Sequence, residues 1–275
     1  MKLSELGERG LIAELERRGL ARGVENDAAQ LGSGLVVTHD TLVEGVHFRL
    51  DWISWRDLGY RAAAVNLSDL AASGATQQAL VVGLGLPAET ELDDVLELYE
   101  GIRETGAGVV GGDTNAADRV YISVTALGRS ERVPGRSGAR PGDALVVTGP
   151  LGAAGAAFRR ERFVRPPLRL EDGRRLAAHA HAMIDLSDGL AADAARIAER
   201  SGCRLVIDLD RVPLAEGAAL DDLGFGEDYE LLAAVEEAEG LAEIGSCEEG
   251  EGVELRSAGR AVTLSSFEHF RQGGA

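Results

Sequence analysis

The chain has 275 residues, of which 45% are hydrophobic and 27% charged, an ordinary composition for a globular protein and enough length for two domains. Its formal net charge of −18 excludes duplex nucleic acid as an expected partner, because that binding depends on basic residues neutralising phosphates. Lys2 is the only lysine, so the chain has neither a P-loop lysine nor a protein-kinase strand lysine, and any phosphoryl chemistry must use metal ions, backbone N–H groups and arginines.

The first half of the chain predicts alternating helices and strands. Ser4 is suited to cap a helix that ends at Gly19. A strand is predicted over 35–38, and residues 43–48 continue it after an acidic interruption. Further along, the sequence predicts helices at 57–73 and 89–105, and strands at 79–86, 109–110 and 121–127. The helix at 89–105 is the clearest, because its apolar residues recur at three- and four-residue steps.

The second half repeats this order after a segment rich in Pro and Gly at 129–143, which predicts a domain boundary. We place the domains at 1–132 and 133–275. The second domain is predicted to contain strands at 144–147, 183–184 and 205–209, and helices after Gly152, near 174–181 and at 190–200. Alternating strands and helices predict an α/β protein with α+β layers in two domains.

Few features of the sequence indicate where in the cell the protein is located. Cys203 and Cys247 form no CxxC motif and are expected to be reduced structural thiols. The N-terminus has no charged-then-apolar leader, and no apolar run approaches the ~18 residues that a membrane span requires. We therefore expect a cytoplasmic protein with no membrane partner.

Aspartates recur beside Gly, Ser, Thr or Asn, mostly where an apolar run ends. They are Asp27, Asp40, Asp69, Asp113, and the pair Asp185 and Asp188. Strands that end in such turns would bring several carboxylates to one sheet edge. Carboxylate oxygens suit hard cations such as Mg²⁺. The pattern therefore predicts a phosphate site that holds several Mg²⁺ ions.

Each motif also has a simpler interpretation. Gly112 and Asp113 alone fit a tight turn, and Ser187 or Asp188 fits a helix cap. Asp69 is the exception, because an aspartate inside an apolar helix lowers helix propensity and resists burial; an ion pair with Arg61 is its structural alternative.

Six segments, in this order, resemble the thiamine-monophosphate kinase family, which belongs to the superfamily of aminoimidazole ribonucleotide synthetase and selenophosphate synthetase. The segments are VTHDTLVEGVHF (37–48), NLSDLAASG (66–74), VVGGDTN (109–115), RSGARPGD (136–143), IDLSDGL (184–190) and GEDYELL (226–232). The resemblance covers nearly the whole chain. It implies a two-domain aminoimidazole ribonucleotide synthetase-like fold, with N-terminal sheets that form a homodimer, a C-terminal α/β domain and ATP near the dimer interface.

The resemblance also implies an activity, the Mg²⁺-dependent transfer of the γ-phosphoryl group of ATP to thiamine monophosphate, giving thiamine diphosphate. The acceptor is a phosphate oxygen, which is largely deprotonated near neutral pH because its second pKa is ~6, so no general base is expected. Direct in-line transfer needs cations that reduce the repulsion between two phosphates.

Matched by position, the family's binding residues fall into three groups in this chain. The Mg²⁺ ligands would be Asp27, Thr38, Asp40, Asp69, Asp113, Asp185 and Asp188, with Asp40, Asp69 and Asp113 the most critical. ATP would contact Tyr99, Gly112, Asp113, Arg136 and Ser187. Thiamine monophosphate would contact His47, Glu227 and Phe267. Taken alone, His47 fits a satisfied structural histidine and Arg136 a solvated surface arginine.

The chain departs from the family at several points. Asn26 replaces an aspartate, His39 stands where a hydroxyl residue is usual, and the segments at 212–226 and before Phe267 are shorter. Two alternatives remain open: another ATP-dependent enzyme of the superfamily with a different acceptor, and a degenerate nucleotide-binding paralogue. Selenophosphate synthetase is disfavoured because no cysteine precedes Cys203.

Overall fold

The computed structural model describes residues 2–21 and 26–265, which form two halves, each built from one β-sheet and its helices. The first half is built from α1 (Leu3–Arg17), β1 (Ala29–Gln30), β2 (Leu35–Val43), α2 (Trp55–Ala72), β3 (Thr76–Leu86), α3 (Leu92–Glu104), β4 (Val109–Ala116) and β5 (Tyr121–Arg129). Its strands have the order β1-β2-β5-β3-β4, and only β3 and β4 pair in parallel. Strands β1 and β4 lie at the two edges of this sheet.

The two faces of this first sheet differ in composition. Val36, Leu42 and Val124 lie on the face beneath α2 and are buried. The opposite face, which we call the open face, carries His39, Thr41, Ser123 and Thr125. Its residues are half-buried or exposed. The alternation along β2 and β5 is that of a sheet covered by helices on one side only.

Helix α2 is the central element of the first half. Ser54 caps it by accepting a hydrogen bond from the Asp57 N–H group at 3.1 Å. Two glycines allow α2 to approach α3 closely. A Cβ atom on Gly59 would lie 1.8 Å from the Leu98 carbonyl oxygen, and one on Gly101 would lie 1.8 Å from the Arg56 carbonyl oxygen. The position of α2 is therefore fixed by backbone contact with α3.

The second half is a mixed seven-stranded sheet with helices on both sides. It contains β6 (Ala144–Val147), α4 (Ala153–Phe158), α5 (Leu170–Ala177), β7 (Ala182–Asp185), α6 (Leu190–Ser201), β8 (Arg204–Asp208), β9 (Leu231–Val235), β10 (Ala242–Glu248), β11 (Gly252–Ser257) and β12 (Arg260–Val262). The strand order is β12-β11-β8-β10-β6-β9-β7. Helix α5 packs on α2, where a Cβ on Gly173 would lie 2.1 Å from the Ala71 carbonyl oxygen. This contact joins the two halves.

The predicted α/β class is confirmed, with one sheet in each half of the chain, but several local predictions are wrong. Strand β2 passes through His39 and Asp40 without interruption. Strand β4 continues through Gly112 and Asp113, so this segment is not a tight turn. Helix α1 begins at Leu3 with Lys2 as its cap residue, so Ser4 does not cap it. The helix predicted near 174–181 lies at Leu170–Ala177.

The boundary between residues 132 and 133 falls in the segment that joins the two sheets and stays a prediction. Within the described ranges, every helix is too short or too polar to cross a lipid bilayer.

We predict that Gly101→Ala lowers the stability of the protein, because the new methyl group would overlap the Arg56 carbonyl oxygen and push α3 away from α2. Overpacking of this kind typically costs about 1–3 kcal/mol. Thermal unfolding would measure the change. Gly108→Ala is the matched control, since a Cβ there meets nothing within 4 Å. Equal melting temperatures for the two variants would contradict the close α2–α3 contact.

Candidate phosphate and metal site

Three aspartates from distant parts of the chain meet between the two halves. Carboxylate oxygens of Asp27, Asp69 and Asp185 all lie within 4.8 Å of one another, and we call these three residues the acidic cluster. Asp185 is the last residue of β7, Asp69 lies in the last turn of α2, and Asp27 lies two residues before β1. The predicted convergence of these carboxylates is therefore present in the structure.

Small polar side chains orient the acidic cluster. The Ser68 hydroxyl donates to Asp185 Oδ2 at 2.7 Å, and the Thr38 hydroxyl donates to Asp69. Asn66 Oδ1 accepts from the Asp40 N–H group at 3.1 Å, which ties β2 to α2. These contacts explain why α2 has polar residues on a buried face.

The electrostatics of the cluster are unfavourable when no cation is present. Burial raises the pKa of Asp69 and of Asp185 well above the usual range, and neighbouring carboxylates raise both further. Burial also raises the pKa of Asp40, although its contact with Asp69 opposes that rise. Carboxyl groups held this close share protons or bind a cation. Oxygen ligands without nitrogen or sulfur suit Mg²⁺.

Two arginines neutralise part of this charge. Arg136 Nη2 donates to Asp27 Oδ1 at 2.6 Å, and Arg196 donates to Asp188. Arg136 Nε is buried and, among the described residues, has no hydrogen-bond partner. A buried donor left unpaired beside a carboxylate cluster fits an anion such as a phosphate. The residues present therefore fit both a divalent cation and a phosphate.

The turn that carries Ser187 and Asp188 is held by a residue that sequence reasoning missed. Asp193 Oδ2 accepts from the N–H groups of Ser187, Asp188 and Gly189 at 3.0, 3.0 and 3.2 Å. Asp193 Oδ1 accepts from Arg196 at 2.8 Å. Helix α6 has Gly189 as its cap residue without a side-chain bond, so the interpretation of Ser187 or Asp188 as a helix cap is wrong. An aspartate on the core-facing side of α6 was the available signal.

A cleft opens between the two halves, near the acidic cluster. Its lining includes four aromatic residues, Phe158, Phe163, Phe225 and Tyr229, together with Arg61 and Glu227. The Glu227 N–H group donates to the Ser187 carbonyl oxygen at 2.9 Å, and the Tyr229 N–H group donates to that of Leu186 at 2.9 Å. These backbone bonds fix the cleft to the turn beside the acidic cluster.

Glu227 and His47, both predicted to contact the acceptor, have defined partners. Glu227 forms an ion pair with Arg61. Arg61 therefore does not pair with Asp69, so the structural alternative for Asp69 is wrong. His47 Nδ1 accepts from the Val43 N–H group at 3.0 Å, which leaves the ring proton on Nε2.

Asp113 does not join the acidic cluster within the chain. Across neighbouring strands, Asp113 lies opposite Gly83, Gly83 opposite Ser123, and Ser123 opposite Thr41. Because residues opposite one another share a face of the sheet, all four lie on the open face. Asp40, one residue before Thr41, points to the opposite face. Three strand spacings, about 14 Å, separate β4 from β2.

The remaining predicted residues have structural surroundings of their own. A Cβ on Gly112 would lie 1.8 Å from the Val82 carbonyl oxygen, so close strand packing alone requires this glycine. Tyr99 is half-buried and packs against the core of the first half. Phe267 lies outside the described residues. The binding roles of all three stay predictions.

The two halves match the two domains of one protein family. Residues 25–130 match the N-terminal domain of AIR synthase related proteins, and residues 140–269 match the C-terminal domain. The fold and these matches define an AIR synthase related protein of two domains.

More specific relatives share a single name. Thiamine-monophosphate kinase of Aquifex aeolicus is 32% identical over 98% of this chain and 100% of its own length. That of Mycobacterium tuberculosis is 38% identical over 84% of this chain and 81% of its own. A solved structure of AaThiL complexed with AMPPCP and TMP superposes with a TM-score of 0.90 and 32% identity, covering 98% of this chain and 99% of that one. The chain belongs to the thiamine-monophosphate kinase family.

We predict that Mg²⁺ raises the melting temperature of EDTA-treated protein, because a cation that binds the folded acidic cluster stabilises the folded state. Asp69→Asn should abolish this shift. The same variant should melt higher than wild type without Mg²⁺, because it removes one of the mutually repelling carboxylates. Exposed Asp118→Asn is the control and should retain the shift. An unchanged Mg²⁺ response in Asp69→Asn would remove the metal assignment.

Proposed function

We propose that this chain transfers the γ-phosphoryl group of ATP to the phosphate of thiamine monophosphate, forming thiamine diphosphate and ADP. The bond from the γ-phosphorus to the β–γ bridging oxygen breaks, and a bond to an acceptor phosphate oxygen forms. The observation that carries this proposal is the acidic cluster fixed beside the aromatic cleft. The full-length similarity to thiamine-monophosphate kinases supports the same reaction.

Asp27, Asp69 and Asp185 would hold Mg²⁺, and we expect Thr38, Asp40 and Asp188 to complete the ligand set. Thr38 donates to Asp69, and Asp40 contacts Asp69. When bound, Mg²⁺ supplies positive charge that lowers the repulsion between donor and acceptor phosphates. Two unit charges ~4 Å apart repel by roughly 4 kcal/mol at an effective dielectric of 20, and each phosphate carries more than one.

The chain's own residues have two tasks in this reaction, binding the nucleotide and orienting the acceptor. Arg136, whose buried Nε has no hydrogen-bond partner among the described residues, would bind a nucleotide phosphate. Ser187, on the turn that Asp193 holds, would contact the nucleotide as well. Glu227 and His47 would orient the acceptor at the cleft. No side chain needs to remove a proton, because the acceptor phosphate is largely deprotonated near neutral pH.

We also propose that the active form is a homodimer in which Asp113 reaches the acidic cluster of the partner subunit. Asp113 lies on the open face and about 14 Å from β2, so its own chain cannot bring it to Asp69. The open face is the surface on which a second copy would pack. ATP would then lie between the subunits, with Gly112 and Tyr99 at its edge.

The proposed location is the cytoplasm, where ATP and Mg²⁺ are available. Cys203 and Cys247 are free and buried, as expected in a reducing compartment.

The direct test is turnover by purified protein with ATP, Mg²⁺ and thiamine monophosphate, with products separated by chromatography. We expect equal amounts of thiamine diphosphate and ADP, no product with EDTA, and none with thiamine as the acceptor. If ADP forms only with a different phosphorylated acceptor, the chemistry would stand and the proposed acceptor would be wrong.

Heterodimers carrying two different tags test the shared site. A dimer of one Asp69→Asn chain and one Asp113→Asn chain has one intact site if Asp113 acts in the partner, and should retain about half of wild-type activity. A dimer of wild type with the Asp69→Asn/Asp113→Asn double variant should then be inactive. The reverse result would show that Asp113 acts within its own chain, and a monomeric mass would exclude the shared site.

A further inference from the structure

Arg61 is a buried cation that the proposed chemistry does not use. It lies on α2, eight residues before Asp69, and its side chain is 2% exposed. Burying a guanidinium is expensive unless its hydrogen bonds and its charge are both satisfied. The partners of Arg61 therefore indicate why it is present.

Among the described residues, the hydrogen-bond partners of Arg61 belong to His47 and Glu227, the residues predicted to contact the acceptor. Arg61 Nη1 donates to the His47 carbonyl oxygen at 2.6 Å, and Nη2 donates to Glu227 Oε1. Its Cζ atom lies 4.6 Å from the centroid of the Phe163 ring, a cation–π distance. One guanidinium thus joins the turn after β2, the loop that carries Glu227, and the segment that carries Phe163.

Arg61 holds the Glu227 carboxylate by an ion pair. Its backbone has a φ of 59°, in the left-handed region that disfavours a side-chain-bearing residue. The pKa of Glu227 is raised mainly by burial, and the charge and hydrogen bond of Arg61 oppose that rise. The loop is otherwise anchored near this residue by the backbone bond from Glu227 to Ser187.

A purely structural role would not require these partners. A buried ion pair is often no more stabilising than apolar residues of similar volume, so stability alone does not explain the Arg61–Glu227 pair. The planar guanidinium of Arg61 instead fixes the directions of two hydrogen-bonded groups at once. Both groups belong to the residues predicted to contact the acceptor.

We propose that Arg61 is a positioning residue for the acceptor. It fixes the Glu227 carboxylate and the His47 turn in the geometry that receives thiamine monophosphate, across the boundary between the two halves. This inference rests on the proposed function, and it assigns to Arg61 an effect on acceptor binding that is separate from ATP binding.

The test is a double-mutant cycle of Arg61→Met, Glu227→Gln and the double variant, read as KM for thiamine monophosphate at saturating ATP. Arg61→Met should raise this KM by about tenfold or more, the loss expected for one charge-assisted hydrogen bond. Because Arg61 acts partly through Glu227, adding Arg61→Met to Glu227→Gln should raise the KM by a smaller factor than Arg61→Met does in wild type, and the remaining factor reports the His47 turn. The KM for ATP should stay near wild type in all three.

Two further variants separate positioning from folding. Arg61→Lys keeps the charge but not the fork, so it should restore part of the acceptor affinity. It replaces Arg61→Met in the cycle if the methionine variant does not fold. Arg56→Met is the matched control on the same helix, since Arg56 also binds two carboxylates, those of Glu97 and Glu104, but at the surface. It should leave both KM values unchanged.

The outcomes are distinct. If wild type forms thiamine diphosphate but Arg61→Met leaves the acceptor KM unchanged, raises both KM values together, or adds fully to Glu227→Gln, the positioning role is wrong and the proposed function stands. If wild type forms no thiamine diphosphate, both proposals fail.

Discussion

The mutual repulsion of buried carboxylates is the constraint on which the site depends. Asp27, Asp69 and Asp185 come from a loop, a helix and a strand end, and their oxygens lie within 4.8 Å of one another. Such an arrangement lasts only if the surrounding structure imposes it. The backbone contact of α2 with α3, the packing of α5 on α2, and the hydroxyl of Ser68 together supply that restraint.

The same rigidity connects the two sides of the site. Hydrogen bonds from the loop at 227–229 to the turn at 186–187 fix the aromatic cleft relative to the acidic cluster. Arg61 adds a second link, from α2 to Glu227. Phosphoryl transfer relies on positioning and charge rather than on proton transfer, so a rigid frame with many fixed oxygens suits the reaction better than a single reactive side chain.

Sequence patterns predicted the helices and buried strands well, and they failed where both faces of a strand are polar. His39 faces the open side and Asp40 faces α2, so the alternation that marks a half-buried strand disappears at the centre of β2. In β4, Gly111, Gly112 and Asp113 have low strand propensity, and pairing with β3 overrides it. The apparent turns were therefore strand interiors.

The candidate site was predictable to the extent that single residues conflict with their local surroundings. Asp69 was recognisable because an aspartate is costly inside an apolar helix. The partner of Arg61 was not, because Glu227 lies 166 residues away and only tertiary structure brings them together. The isolation of Asp113 on the open face likewise follows from strand order, which no local pattern encodes.

The most direct measurement is anomalous diffraction from crystals grown with Mn²⁺, a non-hydrolysable ATP analogue and thiamine monophosphate. The account predicts Mn²⁺ peaks bound by Asp27, Asp69 and Asp185, with the nucleotide phosphates against them. Mn²⁺ bound elsewhere would contradict the account. So would a nucleotide that contacts neither Arg136 nor a cation held by the acidic cluster.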